Sequence, residues 1–170
     1  MIPATTRRAE QQVAPSRAGD GFAARRLYRL MTLSLGMATL VEFASVLPVV
    51  IAQAAFFGIA YTTAATVLMT APSLAAVLLF SRARLPQLRW IWRAQAVGML
   101  LVYAGIPVAL SGTHLPSATP LNWAIELEVI AGCAAALGWR LRGALIYTVT
   151  LQCLVFGAAL LATDEASNAL

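Results

Sequence analysis

The sequence predicts an all-α polytopic membrane protein, a bundle of five transmembrane helices behind a disordered N-terminal tail. Of its 170 residues, 60% are hydrophobic and only 11% are charged, and the mean hydropathy is +0.77. A soluble surface needs roughly a quarter of charged residues. Between residues 30 and 80 Glu42 is the only charge, whereas a hydrocarbon core about 30 Å thick takes about 20 helical residues per crossing. All 12 basic residues are arginines, and they lie in three groups at the edges of apolar runs. A water-soluble enzyme is excluded by this composition. So is a disulfide scaffold, since the 2 cysteines, Cys133 and Cys153, both sit inside apolar runs.

Residues 1–24 are polar and broken by Pro3, Pro15, Gly19 and Gly21, so they bury too little apolar surface to repay ordering. They are predicted to be a disordered cytoplasmic tail. The pair Arg7-Arg8 is not a twin-arginine export signal, because Ala9-Glu10-Gln11-Gln12 follows and the apolar run starts about twenty residues later. That run has the length of an anchor, not of a cleavable leader.

The five-helix domain spans residues 25–162. The long apolar stretch divides into crossings at 30–51 and 57–80, with the reversal at 53–56 and Pro48 placed to kink or help end the first helix. A basic loop at 81–93 carries Trp90 and Trp92, both suited to anchor in the headgroup layer. The third crossing is 94–110, with Pro107 near its far end, and the loop 111–120 holds no formal charge. The fourth is 121–137, the loop 139–142 is basic through Arg140 and Arg142, and the fifth is 143–162. Residues 163–170 form a short acidic tail.

An antiparallel path through five helices puts the N-terminal tail and both basic loops in one compartment, so all 12 arginines fall on one side. The excess of Lys and Arg in short loops marks the cytoplasmic face. The expected location is therefore a bacterial inner membrane, with the N-terminus cytoplasmic and the C-terminus extracytoplasmic. One or three crossings in the 30–80 stretch would scatter the arginines over both faces.

Lipid is as apolar as leucine, so helix association relies on small and weakly polar residues at helical spacing. On the second helix Gly58, Thr62, Thr66, Thr70 and Ser73 recur at intervals of four, four, four and three, which puts them on one face. Gly98, Gly105 and Ala109 on the third helix and Gly132 with Ala136 on the fourth are the other packing candidates.

Carboxylates inside a bilayer cost about 2.5–3.5 kcal/mol each if charged and are functional candidates by default. Glu42 lies near the middle of the first crossing with Gly36 and Thr39 on roughly the same face, so it is expected to point into the bundle and hold its proton. No arginine lies at its depth. Two readings stay open: a neutral acid bonded to Ser or Thr, or a proton- or cation-handling group. Glu126 and Glu128 stand about 200° apart on the fourth helix and are no ready pair; Glu126 snorkels to the outer end, and Glu128 is the better candidate to face Glu42. His114 is the only histidine and lies in the outer loop, so no His-rich metal site can be built. Nucleotide, hydrolase and metalloprotease motifs are lacking. Neither a cofactor nor an enzymatic activity is expected. Cys133 and Cys153 read as small apolar packers, and Gln152 as an interhelical hydrogen bonder with Tyr147 and Thr150 nearer the inner end.

The arginine-only basic set and the abundance of alanine suggest a GC-rich bacterial genome. Trp90-Ile91-Trp92-Arg93 opens one helix, Pro120-Leu121-Asn122-Trp123 the next, and Gly138-Trp139-Arg140 precedes the last. Over about residues 25–162 this pattern resembles the N-terminal membrane region of actinobacterial sensor histidine kinases. The resemblance implies an input and dimerisation domain for signal transduction. In that family a cytoplasmic helix with the phosphoaccepting histidine and an ATP-binding domain follow; His114 cannot stand for the phosphoacceptor, and a fifth crossing ends on the wrong side for a kinase. A truncated or split sensor is what the resemblance implies. The expected partners are the lipid bilayer and a second copy or another membrane subunit, with no nucleic acid. The competing class is a small transporter or channel subunit using Glu42 and Glu128.

Overall fold

The computed structural model describes the backbone of residues 16–110 and 127–167 and the side chains of 21–109 and 127–157. Among the described residues five helices follow one another: α1 Ser16–Phe57, α2 Ile59–Leu79, α3 Leu85–Leu110, α4 Glu128–Gly138 and α5 Leu141–Ser167. Among the described residues there is no strand. The chain is all-α, and three helices are long and apolar enough to cross a membrane: Gly21–Phe57, Ile59–Leu79 and Leu85–Ala109.

Three of the helices, α1, α3 and α5, are longer than the apolar runs that announce them, whereas α2 is shorter than its run and α4 is described only from Glu128. α1 begins at Ser16, inside the segment expected to be disordered, because Ala18, Ala23, Ala24, Arg25 and Arg26 are good helix formers continuous with an apolar helix. It also runs past Pro48 and through the expected reversal at 53–56 to Phe57. The break comes at Gly58, whose φ of 82° is open to glycine at little cost. α3 likewise starts at Leu85 rather than at 94, so most of the expected basic loop is helix. Pro86 sits in its first turn, where the missing N–H is no loss. The Gln87 side chain accepts the Arg84 backbone N–H at 2.8 Å, one half of a capping box. α5 extends to Ser167, into the expected acidic tail. Residues 1–15, the loop 111–120 with His114, Glu126 and residues 168–170 lie outside the described residues.

α3 is the central helix and packs against each of the other four. Its buried residues Leu88, Trp92, Gln95, Met99, Val102 and Ile106 alternate steps of four and three. α1 does the same with Thr32, Gly36, Thr39, Phe43, Val46, Val50, Gln53 and Phe57, of which Phe43 is half-buried and the rest are buried. A repeat near 3.5 residues keeps one stripe facing its neighbour as helices cross at about 20°. α1 and α2 are antiparallel: a Cβ on Gly36 would meet Val77 Cγ2 at 2.8 Å and the Ser73 carbonyl at 3.1 Å. α2 and α3 are antiparallel as well: a Cβ on Gly98 would lie 3.1 Å from the Leu68 carbonyl, and one on Gly105 would lie 3.1 Å from the Tyr61 ring.

Candidate functional site

The described arginines collect at one end of the bundle. Arg29 on α1 donates to the carbonyls of Ser81 at 3.1 Å and Ala83 at 3.4 Å, tying α1 to the α2–α3 turn. Tyr28 donates its hydroxyl to the Leu137 carbonyl at 2.9 Å, with the Arg89 guanidinium 5.9 Å from its ring centre. Arg93 Nε donates to the Gly138 carbonyl at 2.9 Å, at the end of α4. Its guanidinium lies 5.0 Å from the Trp90 ring centre. Arg140 and Arg142 follow directly on the same turn. A carbonyl at a helix C-terminus lacks an intrahelical N–H, so a guanidinium or hydroxyl from a neighbouring helix both satisfies it and fixes the register.

The two tryptophans expected as anchors part company. Trp90 is 66% exposed, whereas Trp92 is wholly buried and donates its indole N–H to Thr32 Oγ1 at 3.2 Å. Two residues turn a helix by about 200°, so only one of the pair can face outward.

Midway along α2 and α3 lies a buried polar cluster. Ser73 donates to Gln95 Oε1 at 3.2 Å, and Gln95 Nε2 donates to the Met69 carbonyl at 2.7 Å. Pro72 brings no N–H for the Leu68 carbonyl one turn earlier. Gly98 lets α3 approach that same carbonyl, and Gln95 serves the next one, so the neighbouring helix packs closely where Pro72 removes a bond from α2. A third crossing that starts at 94 places Gln95 at a helix end instead of the bundle centre, so the apolar pattern does not single it out. Its spacing of three from Trp92 and four from Met99 was the available signal.

The residues of the expected packing stripe on α2 differ in burial. Thr62 and Ser73 are buried, Thr66 and Thr70 are half-buried, and the buried seam passes through Ala65, Met69 and Ala76 between them. Thr62 and Thr70 bond the carbonyls of Gly58 at 3.0 Å and Thr66 at 2.7 Å within their own helix. Gly58 is the break itself. Gly98 and Gly105 are close contacts, but a Cβ on Gly132 would meet open space. Cys133 and Cys153 are free and exposed, not packers, because they flank the buried positions Ala134 and Leu151.

Glu42 faces outward, against the expectation that it points into the bundle. Phe43 fills the next place in the α1 stripe, and Glu42 is rotated about 100° from it. Among the described residues its carboxylate has no partner; Ser45 bonds only its backbone carbonyl, at 2.6 Å. Glu128 is half-buried and accepts a hydrogen bond from Gln152 Nε2 on α5, the interhelical role expected of Gln152. Glu42 and Glu128 are thus not brought together. Tyr147 crosses from α5 to bond the Ala96 carbonyl at 3.0 Å, and Thr150 bonds back to Ile146 at 2.9 Å. No group of three His, Cys, Asp or Glu side chains converges among the described residues.

The arrangement holds helices together by side-chain to carbonyl bonds and, among the described residues, leaves the Glu42 carboxylate on its outer surface. The chain matches no family model, and no curated protein or solved structure is significantly similar to it.

Proposed function

We propose that the chain is a multi-pass bacterial inner-membrane protein of five crossings, with a cytoplasmic N-terminus and an extracytoplasmic C-terminus. It acts as a non-catalytic sensory input or interaction module, and it pairs with a second copy through the outward face of α1. The observation that carries this reading is the exposed position of Glu42, in the middle of an apolar helix. Left against lipid, a charged carboxylate there costs about 2.5–3.5 kcal/mol.

A two-fold axis through this face would set Glu42 against its own counterpart, where one carboxyl can donate a hydrogen bond to the other. The described arginines all lie at one end, so among the described residues no cation lies at this depth. Ser34, Ala38, Ser45 and Ala52 share the row with Glu42 and are exposed. Small side chains of this kind let two backbones come close in a bilayer. α1 is also one unbroken helix of 42 residues, about 63 Å long, so a shift at its outer end reaches the basic end as a rigid movement. That continuity suits an input module. The transporter reading lacks comparable support, since Glu128 is engaged by Gln152.

The dimer fraction in liposomes, counted by single-molecule photobleaching at increasing dilution, tests the proposal. Glu42→Gln keeps hydrogen-bonding capacity and is expected to dimerise nearly as the parent does. Glu42→Leu is expected to weaken the dimer by about 0.5–2 kcal/mol. A Glu42→Leu protein that pairs as tightly as the parent, or a parent that stays monomeric, contradicts self-association through α1.

A further inference from the structure

At the basic end a cleft of about 580 Å³ opens between the start of α1 and the α2–α3 turn, lined by Phe22, Arg25, Arg26, Arg29, Arg84, Leu85 and Pro86. Four of the seven lining residues carry a guanidinium, and among the described residues no carboxylate lines the cleft. Arg25 and Arg26 come from α1 and Arg84 from the turn nearly sixty residues later, so the fold and not the local sequence assembles the cluster. Arg29 is held by the carbonyls of Ser81 and Ala83, which fixes the two walls of the cleft relative to each other. No hydrogen bond of the Arg25, Arg26 or Arg84 side chains occurs among the described residues, and these three are exposed.

We propose that this cleft is a binding site for a phosphate-bearing anion, and that its occupant is the headgroup of an anionic phospholipid. Several guanidiniums converging without a carboxylate repel one another, and a phosphate oxygen cluster is the anion whose geometry matches their paired N–H groups. Phe22, Leu85 and Pro86 add an apolar wall that a free phosphate would not use, while the glycerol and upper acyl carbons of a lipid would. The position fits too: arginines flanking apolar spans lie at the headgroup level, and basic clefts between helices on that side take anionic headgroups. The inference rests on the membrane reading but not on pairing through α1, and the variants that test it leave Glu42 untouched.

The test uses the full chain in phosphatidylcholine nanodiscs titrated with phosphatidylglycerol, read by the shift in melting temperature and by native mass spectrometry of retained lipid. Arg25→Gln/Arg84→Gln removes two charges from the cleft, and Arg140→Gln/Arg142→Gln removes two charges from the same end outside it. The parent and the Arg140→Gln/Arg142→Gln variant are expected to retain phosphatidylglycerol alike. The Arg25→Gln/Arg84→Gln variant should need at least about tenfold more of it for the same shift. A parallel arm adds inorganic phosphate to phosphatidylcholine nanodiscs. A shift there that is lost only in the cleft variant upholds the anion site and overturns the lipid as occupant. Equal weakening in both double variants, or no shift in the parent with either anion, overturns the site. Both variants are checked first for the parent's helical content, which the absence of hydrogen bonds from these side chains leads us to expect.

Discussion

Trp90 and Trp92 stand two residues apart on α3 and have opposite duties. Trp92 fills the middle of the helix contacts and donates to Thr32, so Trp92→Ala should cost about 3–5 kcal/mol through the cavity and the lost bond. Trp90 is mostly exposed, and Trp90→Ala should change stability by no more than about 0.5 kcal/mol. Reversible unfolding in mixed micelles measures both, and equal losses would show that the α3 stripe is drawn wrongly. Glu42 shows the same limit on what a sequence yields. Gly36 and Thr39 are buried within two turns of it, which favours an inward carboxylate, yet they stand about 120° and 60° from it around the axis, and the half-buried Phe43 takes the next place in the stripe. The place along an apolar helix was legible there; the side of the helix was not. Tyr28, Arg29 and Gln95 were missed for a related reason, since their partners are backbone carbonyls 109, 52 and 26 residues away.

At the scale of the element, the existence of five helices was legible from apolar runs and breaks, whereas their ends were not. Hydropathy marks what lipid accepts, and helix formation continues through Ala and Arg beyond that limit, as at Ser16–Ala24 and Leu85–Arg93. The break at Gly58 depends on a positive φ, which composition alone does not separate from the neighbouring stretch 53–56. Close helix contacts were partly legible from glycine spacing. A Cβ on Gly98 would lie 3.1 Å from the Leu68 carbonyl, whereas one on Gly132 would meet open space. Gly98→Leu should therefore destabilise the protein by about 1–3 kcal/mol through overpacking, and Gly132→Leu by no more than about 0.5 kcal/mol. Comparable losses in the same unfolding assay would point to a partner helix over Gly132.

At the scale of the whole molecule, one end of the bundle gathers the start of α1, the α2–α3 turn and the α4–α5 turn, and with them every described arginine. The one-sided charge was visible in the sequence. The cleft it forms was not, because Arg25 and Arg84 meet only after α1 and α2 fold back on each other at Gly58. Such an end carries the proposed orientation, since translocating three arginine clusters would oppose the bias that keeps basic loops in the cytoplasm. The most direct measurement is a pair of reporters fused after Leu170, alkaline phosphatase and green fluorescent protein, expressed in a bacterial inner membrane. Five crossings from a cytoplasmic N-terminus predict an active phosphatase and a dark fluorescent protein; a fluorescent fusion with inactive phosphatase would contradict the number of crossings or their direction.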